Sequence, residues 1–496
     1  MATIETKKKH AGRNSLKVHR LPIRFENDIR RVISYPFDPG GESRVRNIIE
    51  RVAGLSEAEV DLILSRVLKK FQKRHKKITA TFEEHYQTAV ALTGEPENIS
   101  PNRRLLIGSY LTMEYSIESA ALFNPSIVKH RNQRNLAEGA VRFIMSFRAT
   151  GEGHLSSIVF REGVLYADHK IRMEPPSPYS HRVRTSPDKQ YEKQLFQRKL
   201  HDIAVDEAAA GDVMNRLPDY FTIIELERAI AQAADTAPEK LVYERARNSM
   251  LLLARSNYLL ELSKDAQAAE VVIFPQSGNE RHGIEDLRMV NFVDDDGTST
   301  IFGNYNAFDG NNILPQLMET SDFLSIGIHT LNGAQARNKG MALFPRRIDG
   351  HYVMCSRVDG ENLYIMYSDI VHFWETAELL QKPKYNWEFV QIGNCGSPLE
   401  TPEGWLLLTH GVGPMRTYCI GAMLLDLKDP LKVIGQLEEP LITAAEAERD
   451  GYVPNVVYTC GAMIHNDYLY IPFSTSDHVT RFAYVSLSRL LEKLVG

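Results

Sequence analysis

The sequence has little of what would cross-link a secreted domain, span a membrane or hold nucleic acid. Its four cysteines, Cys355, Cys395, Cys419 and Cys460, are far apart, with no Cys-x-x-Cys pair and no histidine pair at zinc spacing. Free, mostly buried thiols and no bound metal are the expectation. No apolar run approaches the ~20 residues needed to cross a bilayer, and residues 1–9 lack the apolar centre of a secretory leader. A cytoplasmic setting without membrane contact is therefore expected. A basic surplus is also missing, since the formal net charge of -5 argues against a general nucleic-acid binder. What is present is an ordinary globular composition, 43% hydrophobic and 24% charged over 496 residues, which suits a large domain with accessory segments.

Texture divides the chain. Residues 1–38 read as an N-terminal tail and 39–115 as a helical segment, in which Ser56 and Glu59 have the spacing of a capping box ahead of Val60-Asp61-Leu62-Ile63-Leu64. The basic run 69–77 reads as the solvated face of a helix rather than a nucleic-acid site. Residues 116–496 are rich in short strands and are interrupted at about 186–265 by a helical insertion, with proline-rich Glu174-Pro175-Pro176-Ser177-Pro178 just ahead of it. The helical segments are expected to serve self-association or to close one end of a ligand channel.

The strand-rich part repeats one plan of strand, Gly or Asp turn, strand. The first unit begins around Val141, and the next four begin near Met289, Met341, Ser397 and Asn455, roughly 50 to 60 residues apart, the period of one four-stranded propeller blade. A mainly β fold, a five-bladed β-propeller, is predicted, with a β-sandwich carrying helical additions as the alternative. A propeller gathers residues distant in sequence at its central channel.

The candidate chemistry is distributed over those units. Gly283-Ile284-Glu285-Asp286-Leu287-Arg288 puts two carboxylates and an arginine ahead of the strand-like Met289-Val290-Asn291-Phe292. Alternation along a strand would send Glu285 and Asp286 into different environments, one facing a cleft and one held in structure. Phe123-Asn124-Pro125-Ser126 opens the first unit, and Tyr305-Asn306-Ala307-Phe308-Asp309-Gly310 follows Arg288 in the second. The third unit holds Asn338-Lys339-Gly340 and Cys355-Ser356-Arg357, two cations on what should be neighbouring strands. The fourth carries Ser397-Pro398-Leu399-Glu400 and the run from Trp405 to His410-Gly411-Val412, and the fifth carries Asp477. Trp405 is read as core.

These motifs in this order resemble glycoside hydrolase family 130, the inverting β-mannoside phosphorylases and their hydrolytic relatives, from about residue 117 to 490 outside the insertion. The resemblance implies a five-bladed propeller and gives Asp286 the role of general acid, acting through a sugar hydroxyl on the glycosidic oxygen while phosphate attacks the opposite face. It implies that Lys339 and Arg357, with Asn124, bind that phosphate, and that Arg288, Tyr305, Asp309, His410 and Asp477 contact the mannoside. No cofactor is implied beyond inorganic phosphate as co-substrate. An inverting cleavage does need an acid on one face and a nucleophile on the other, and a guanidinium such as Arg357 suits a phosphate dianion. The chain departs from the phosphorylase pattern at Glu400, where many members have a phosphate-contacting lysine, at Gly340 and at Pro125. Glu400 could instead serve as base for water in a β-mannosidase, the alternative reading. A non-catalytic sugar-binding propeller is the third, against which Asp286 speaks.

Overall fold

The computed structural model describes residues 16–94, 99–182, 184–186, 189–234, 239–264 and 266–496. Part of the expected tail (1–15) and the insertion's residues 187–188, 235–238 and 265 lie outside them. Among the described residues the architecture is mainly β, with five sheets of four to six strands, antiparallel except for one parallel edge pairing in the first, two two-stranded ribbons and two groups of helices.

Each large sheet opens with an inner strand that packs against the inner strands of other sheets. In chain order these are Ala121–Lys129, Ile284–Val293, Lys339–Leu343, Gln391–Asn394 and Val457–Tyr458. The first unit thus opens with the strand that carries Phe123-Asn124-Pro125-Ser126, ahead of the strand at Val141. Consecutive sheets share apolar cores. Ile158 and Phe160 of the first meet Leu287 and Met289 of the second; Phe292 and Leu317 of the second meet Met341 and Met354 of the third. Val353 and Ile365 of the third meet Trp405 and Leu407 of the fourth, and Leu406 and Ile420 of the fourth meet Ile471 and Phe473 of the fifth. The fifth then packs on the first through Tyr470, Phe482, Phe143 and Phe147. Trp405 is core, as expected, at 0% exposure.

The stretch read as a tail is structural. His19–Phe25 pairs antiparallel with Val479–Ser486 at the edge of the fifth sheet, because its alternating Leu21, Ile23 and Phe25 supply the apolar side that this edge needs. Val32–Pro36 pairs with Thr112–Ser116 and brackets the N-terminal helices.

Those helices, Glu42–Ala53, Glu57–Phe71, Ile78–Thr93 and Pro101–Tyr110, enclose their own core around Val60, Tyr86 and Leu106. The Ser56 capping box forms as predicted, with Ser56 N–H donating to Glu59 Oε2 at 2.8 Å and Glu59 N–H to Ser56 Oγ at 3.4 Å. The basic run is not wholly solvated. His75 is buried against Glu114, and Lys76 pairs with the buried Glu270 at 2.7 Å, so the end of this run ties the helices to the first sheet.

The insertion holds helices Lys193–Asp202, Glu207–Asn215, Ile223–Ala234 and Lys240–Ser256 around a core that includes Phe196, Phe221 and Met250. Its flanking strands extend the sheets, Tyr258–Glu261 adding to the outer edge of the second and Val271–Ile273 to that of the first. Among the described residues no helix is long and apolar enough to cross a membrane.

Candidate active site

The starts of the first three inner strands are bent by β-bulges, between Phe123 and Ser126, Glu285 and Arg288, and Lys339 and Ala342. Asn124 and Asp286 take the left-handed region inside two of them, with φ of 47° and 58°, and Asn338 does so at 65° just before the third. Asn and Asp tolerate that region better than other non-glycine residues. The bulges re-aim side chains toward one point.

The bulge overturns the expectation that Glu285 and Asp286 face different environments, because strict alternation fails where an extra residue is inserted. Both carboxylates enter one cationic cluster. Glu285 accepts from Arg148 at 3.0 Å and from Lys339 at 2.5 Å. Asp286 Oδ1 accepts from Asn124 Nδ2 at 2.6 Å, and its Oδ2 lies 3.7 Å from the Arg288 guanidinium. Asn124 therefore positions the carboxylate, and its own Oδ1 is held by the Ser474 hydroxyl at 3.1 Å. Burial alone would raise the Asp286 pKa. The positive charges of Arg288, Arg148 and Lys339, with the Asn124 hydrogen bond, outweigh it and hold the carboxyl below its ordinary value.

Arg288 is almost fully buried and donates to the Tyr458 hydroxyl at 2.8 Å. Across the third sheet Lys339 stands opposite Arg357 in the ladder, the neighbouring placement that the sequence suggested. Arg357 Nη1 donates to His410 Nε2 at 2.9 Å. Burial, then the charges of Arg357 and Arg288, push the His410 pKa well below its usual value, so the ring is neutral and accepts. Gly393 makes this contact fit, since a Cβ there would meet His410 Cε1 at 2.6 Å. Asp477 completes the group: burial, with Asp286 and Glu285 nearby, raises its pKa to about 6 against the opposing pull of Arg148 and Arg416.

Three expected residues lie elsewhere. Tyr305 points into the core between the first and second sheets, where its hydroxyl donates to Glu280 at 2.7 Å. Asp309 is an exposed turn residue whose carboxylate accepts the N–H groups of Asn311 and Asn312 at 2.8 and 2.7 Å. Glu400 forms a forked ion pair with Arg346, at 2.6 Å from Nη2 and 3.0 Å from Nε, and that guanidinium lies over Trp405. Glu400 borders a cavity of about 350 Å³ together with Lys129, Val293 and Pro345, where the inner strands end, a run of about 20 Å from Asp286 in extended chain.

Four residues of the cluster were missed: Arg148, Asn304, Tyr458 and Ser474. Arg148 lies opposite Phe123, and Ser474 opposite Tyr458. Asn304 lies opposite Arg288, and neither its amide N nor its O has a hydrogen-bond partner among the described residues. The available signal was a polar side chain inside an otherwise buried strand, such as Arg148 in Val141–Thr150.

The arrangement offers a buried carboxylate under the charge of Arg288, Arg148 and Lys339, the last two also ion-paired to Glu285, with Arg357 turned to a neutral ring rather than a carboxylate. An arginine with no carboxylate partner suits an anion, and a buried carboxyl is a group that can deliver a proton. The curated relatives include a 1,2-beta-oligomannan phosphorylase of Thermoanaerobacter sp. (strain X514), 37% identical over 152 residues, 30% of this chain and 51% of the relative. A beta-1,2-mannobiose phosphorylase of the same organism is 40% identical over 142 residues, 28% of this chain and 47% of that protein. The chain thus spans about half the length of these relatives. Among solved structures, the beta-1,2-mannobiose phosphorylase of Listeria innocua in complex with beta-1,2-mannobiose aligns over 77% of this chain and 93% of its own, at 20% identity and a TM-score of 0.43. The glycoside hydrolase family 130 model, described as beta-1,4-mannooligosaccharide phosphorylase, matches residues 242–495, just over half of the chain, and the chain belongs to that family.

Proposed function

We propose that the chain cleaves β-mannosidic bonds by phosphorolysis with inversion, releasing mannose 1-phosphate, on a five-bladed β-propeller whose central channel holds Asp286. The propeller is supported by the order of the apolar cores, which run from each sheet to the next and from the fifth back to the first. A cytoplasmic setting, with buried thiols at Cys355, Cys395, Cys419 and Cys460, is part of the same proposal.

In the reaction the bond from the anomeric carbon to the glycosidic oxygen breaks and one from that carbon to a phosphate oxygen forms on the opposite face. The proton leaves Asp286, passes through a sugar hydroxyl and ends on the departing oxygen. Asp286 is held ionised by the neighbouring cations while the site is open. Phosphate charge close to Arg357, Lys339 and Arg148 offsets that potential and raises the proton affinity of Asp286 when an acid is needed.

The observation that carries phosphorolysis over hydrolysis is the hydrogen bond from Arg357 to neutral His410, which leaves a full positive charge for an anion. The hydrolytic reading needed Glu400 as base, and Glu400 is committed to Arg346. Glu400→Gln is accordingly expected to keep kcat within about twofold, since the change lies outside the reacting groups. The decisive experiment supplies β-1,2- and β-1,4-linked mannobiose with and without inorganic phosphate. Mannose 1-phosphate formed only with phosphate is the expected product, with the β-1,2 substrate preferred in keeping with the two Thermoanaerobacter relatives. Free mannose at a phosphate-independent rate would refute phosphorolysis.

A further inference from the structure

A cluster of metal-ligating side chains lies at the seam of the second and third sheets, two strands away from the one that carries Asp286. Glu319 is on Ile313–Thr320, His329 on the adjacent Ser325–Thr330, and His372 follows the third-sheet strand Leu363–Ser368. Register accounts for the first pair. Glu319 stands opposite Gly327, and His329 opposite Leu317, so the two are diagonal neighbours on one face. Gly327 leaves room, since a Cβ there would meet His329 Nε2 at 2.9 Å. His329 Nε2 and Glu319 Oε2 are 3.8 Å apart, too far for a hydrogen bond. The His329 and His372 rings lie 4.8 Å apart at 45°. His372 Nε2 is buried and has no hydrogen-bond partner among the described residues, a condition that native interiors seldom leave unfilled. One ligand atom from each of the three falls within 4.8 Å of the others. In a tetrahedral zinc site with bonds of ~2.1 Å the ligand atoms stand about 3.4 Å apart, so closure needs side-chain movements of up to about 1.4 Å.

We propose that Glu319, His329 and His372 form a binding site for a divalent transition metal of the zinc class, with water as the fourth ligand, that clamps the second sheet to the third. Two imidazoles and one carboxylate suit such an ion better than magnesium or calcium, which favour all-oxygen sites. The cations facing the cluster are Lys189 and Lys199. Lys199 Nζ donates to Asn257 Oδ1 and to Thr330 and its charge still reaches both rings, while Lys189 acts on Glu319 as well as on both rings. Its repulsion weakens the site.

The test strips the full chain with a chelator, titrates it with zinc chloride by calorimetry, and reads the thermal midpoint with and without zinc. One equivalent bound and a zinc-dependent rise in midpoint are expected. Glu319→Gln, at a side chain 43% exposed, and His372→Gln should each weaken zinc binding at least about tenfold, while Lys189→Gln should strengthen it. Glu319→Gln is a mild change for folding, so a lost rise in that variant, with its chelated midpoint unmoved, reports the metal. Absence of stoichiometric binding in the unmodified chain, or binding unaffected by both ligand substitutions, overturns the site.

Discussion

Asp286 is bound by opposite demands: burial favours its protonated form, and the cations around it favour the carboxylate. Replacing it with asparagine keeps the shape and the hydrogen-bonding reach but removes the transferable proton. Asp286→Asn is expected to lower kcat by at least about a hundredfold, the lower end for general acid catalysis, with mannoside binding changed little. Unchanged turnover would remove the acid assignment. Asp477 has the reverse balance, since its folded pKa of about 6 lies above the 3.8 of an ordinary aspartate. A carboxyl whose pKa is raised by folding is neutral at no penalty below pH 3.8 and destabilises increasingly as pH climbs through 6. Asp477→Asn should therefore raise the thermal midpoint more at pH 7.5 than at pH 4.5, by roughly 1 to 3 kcal/mol of stability at the higher pH. Equal effects at both would show that Asp477 titrates normally. At this scale the sequence was readable where chemistry is concentrated in one motif, as at Asp286, Lys339, Arg357 and His410. It misled where a motif crosses both faces of a strand. Asn304 lies opposite Arg288 in the cluster, whereas the next residue, Tyr305, points into the core beside Glu280, and nothing in the local pattern says which of the two meets the cluster.

The elements show why the bulges were invisible before the fold was known. A bulge is a mismatch of register between two strands, so its signature is shared between Ile284–Val293 and its partner Ser299–Phe308 rather than written in either. Helices were legible because capping and apolar period are local, as in Glu57–Phe71. The insertion was legible as helices but not in its docking. That docking runs through Lys199, whose ammonium donates to Asn257 Oδ1 at 2.8 Å and to Thr330 O at 3.0 Å of the second sheet, while Arg198 covers Phe373. Burial drives the Lys199 pKa down to about 7, with Lys189 adding to the effect. A lysine depressed by folding binds fewer protons folded than unfolded between pH 7 and 10.5, so stability gains with pH across that window and the penalty is greatest below it. Lys199→Met fills the same space without the charge. It should raise the thermal midpoint at pH 6.5 and do so less at pH 9.5. A loss of stability at both pH values would mean that the hydrogen bonds to Asn257 and Thr330 outweigh the desolvation of the ammonium.

On the scale of the whole molecule, the five sheets hold together because each gives one face to the sheet before it and the other to the sheet after it. The last contact, between the fifth sheet and the first, has no sequence-adjacent partner to enforce it. It is reinforced by His19–Phe25, whose Phe25 ring lies 5.1 Å from Phe147 of the first sheet and 6.2 Å from Phe482 of the fifth. Arg20 adds an ion pair to Glu448. This strand escaped the sequence reading because its partner, Val479–Ser486, lies at the other end of the chain, and alternation over seven residues specifies a strand without saying which edge it joins. Leu21, Ile23 and Phe25 are partly buried here, so each contributes about 1 kcal/mol by area. Their removal also leaves an unpaired sheet edge. A variant lacking residues 1–26 should therefore unfold several degrees lower and aggregate more readily, while kcat/KM at 25 °C stays within about twofold of the full chain, because among the described residues the strand pairs with Val479–Ser486 and not with the strands that carry Asn124, Asp286 and Lys339. Thermal unfolding and light scattering beside initial rates distinguish the cases. An unchanged midpoint would mean that the fifth sheet packs on the first without this strand, and a proportional loss of activity in the cold would mean that the strand also shapes the site.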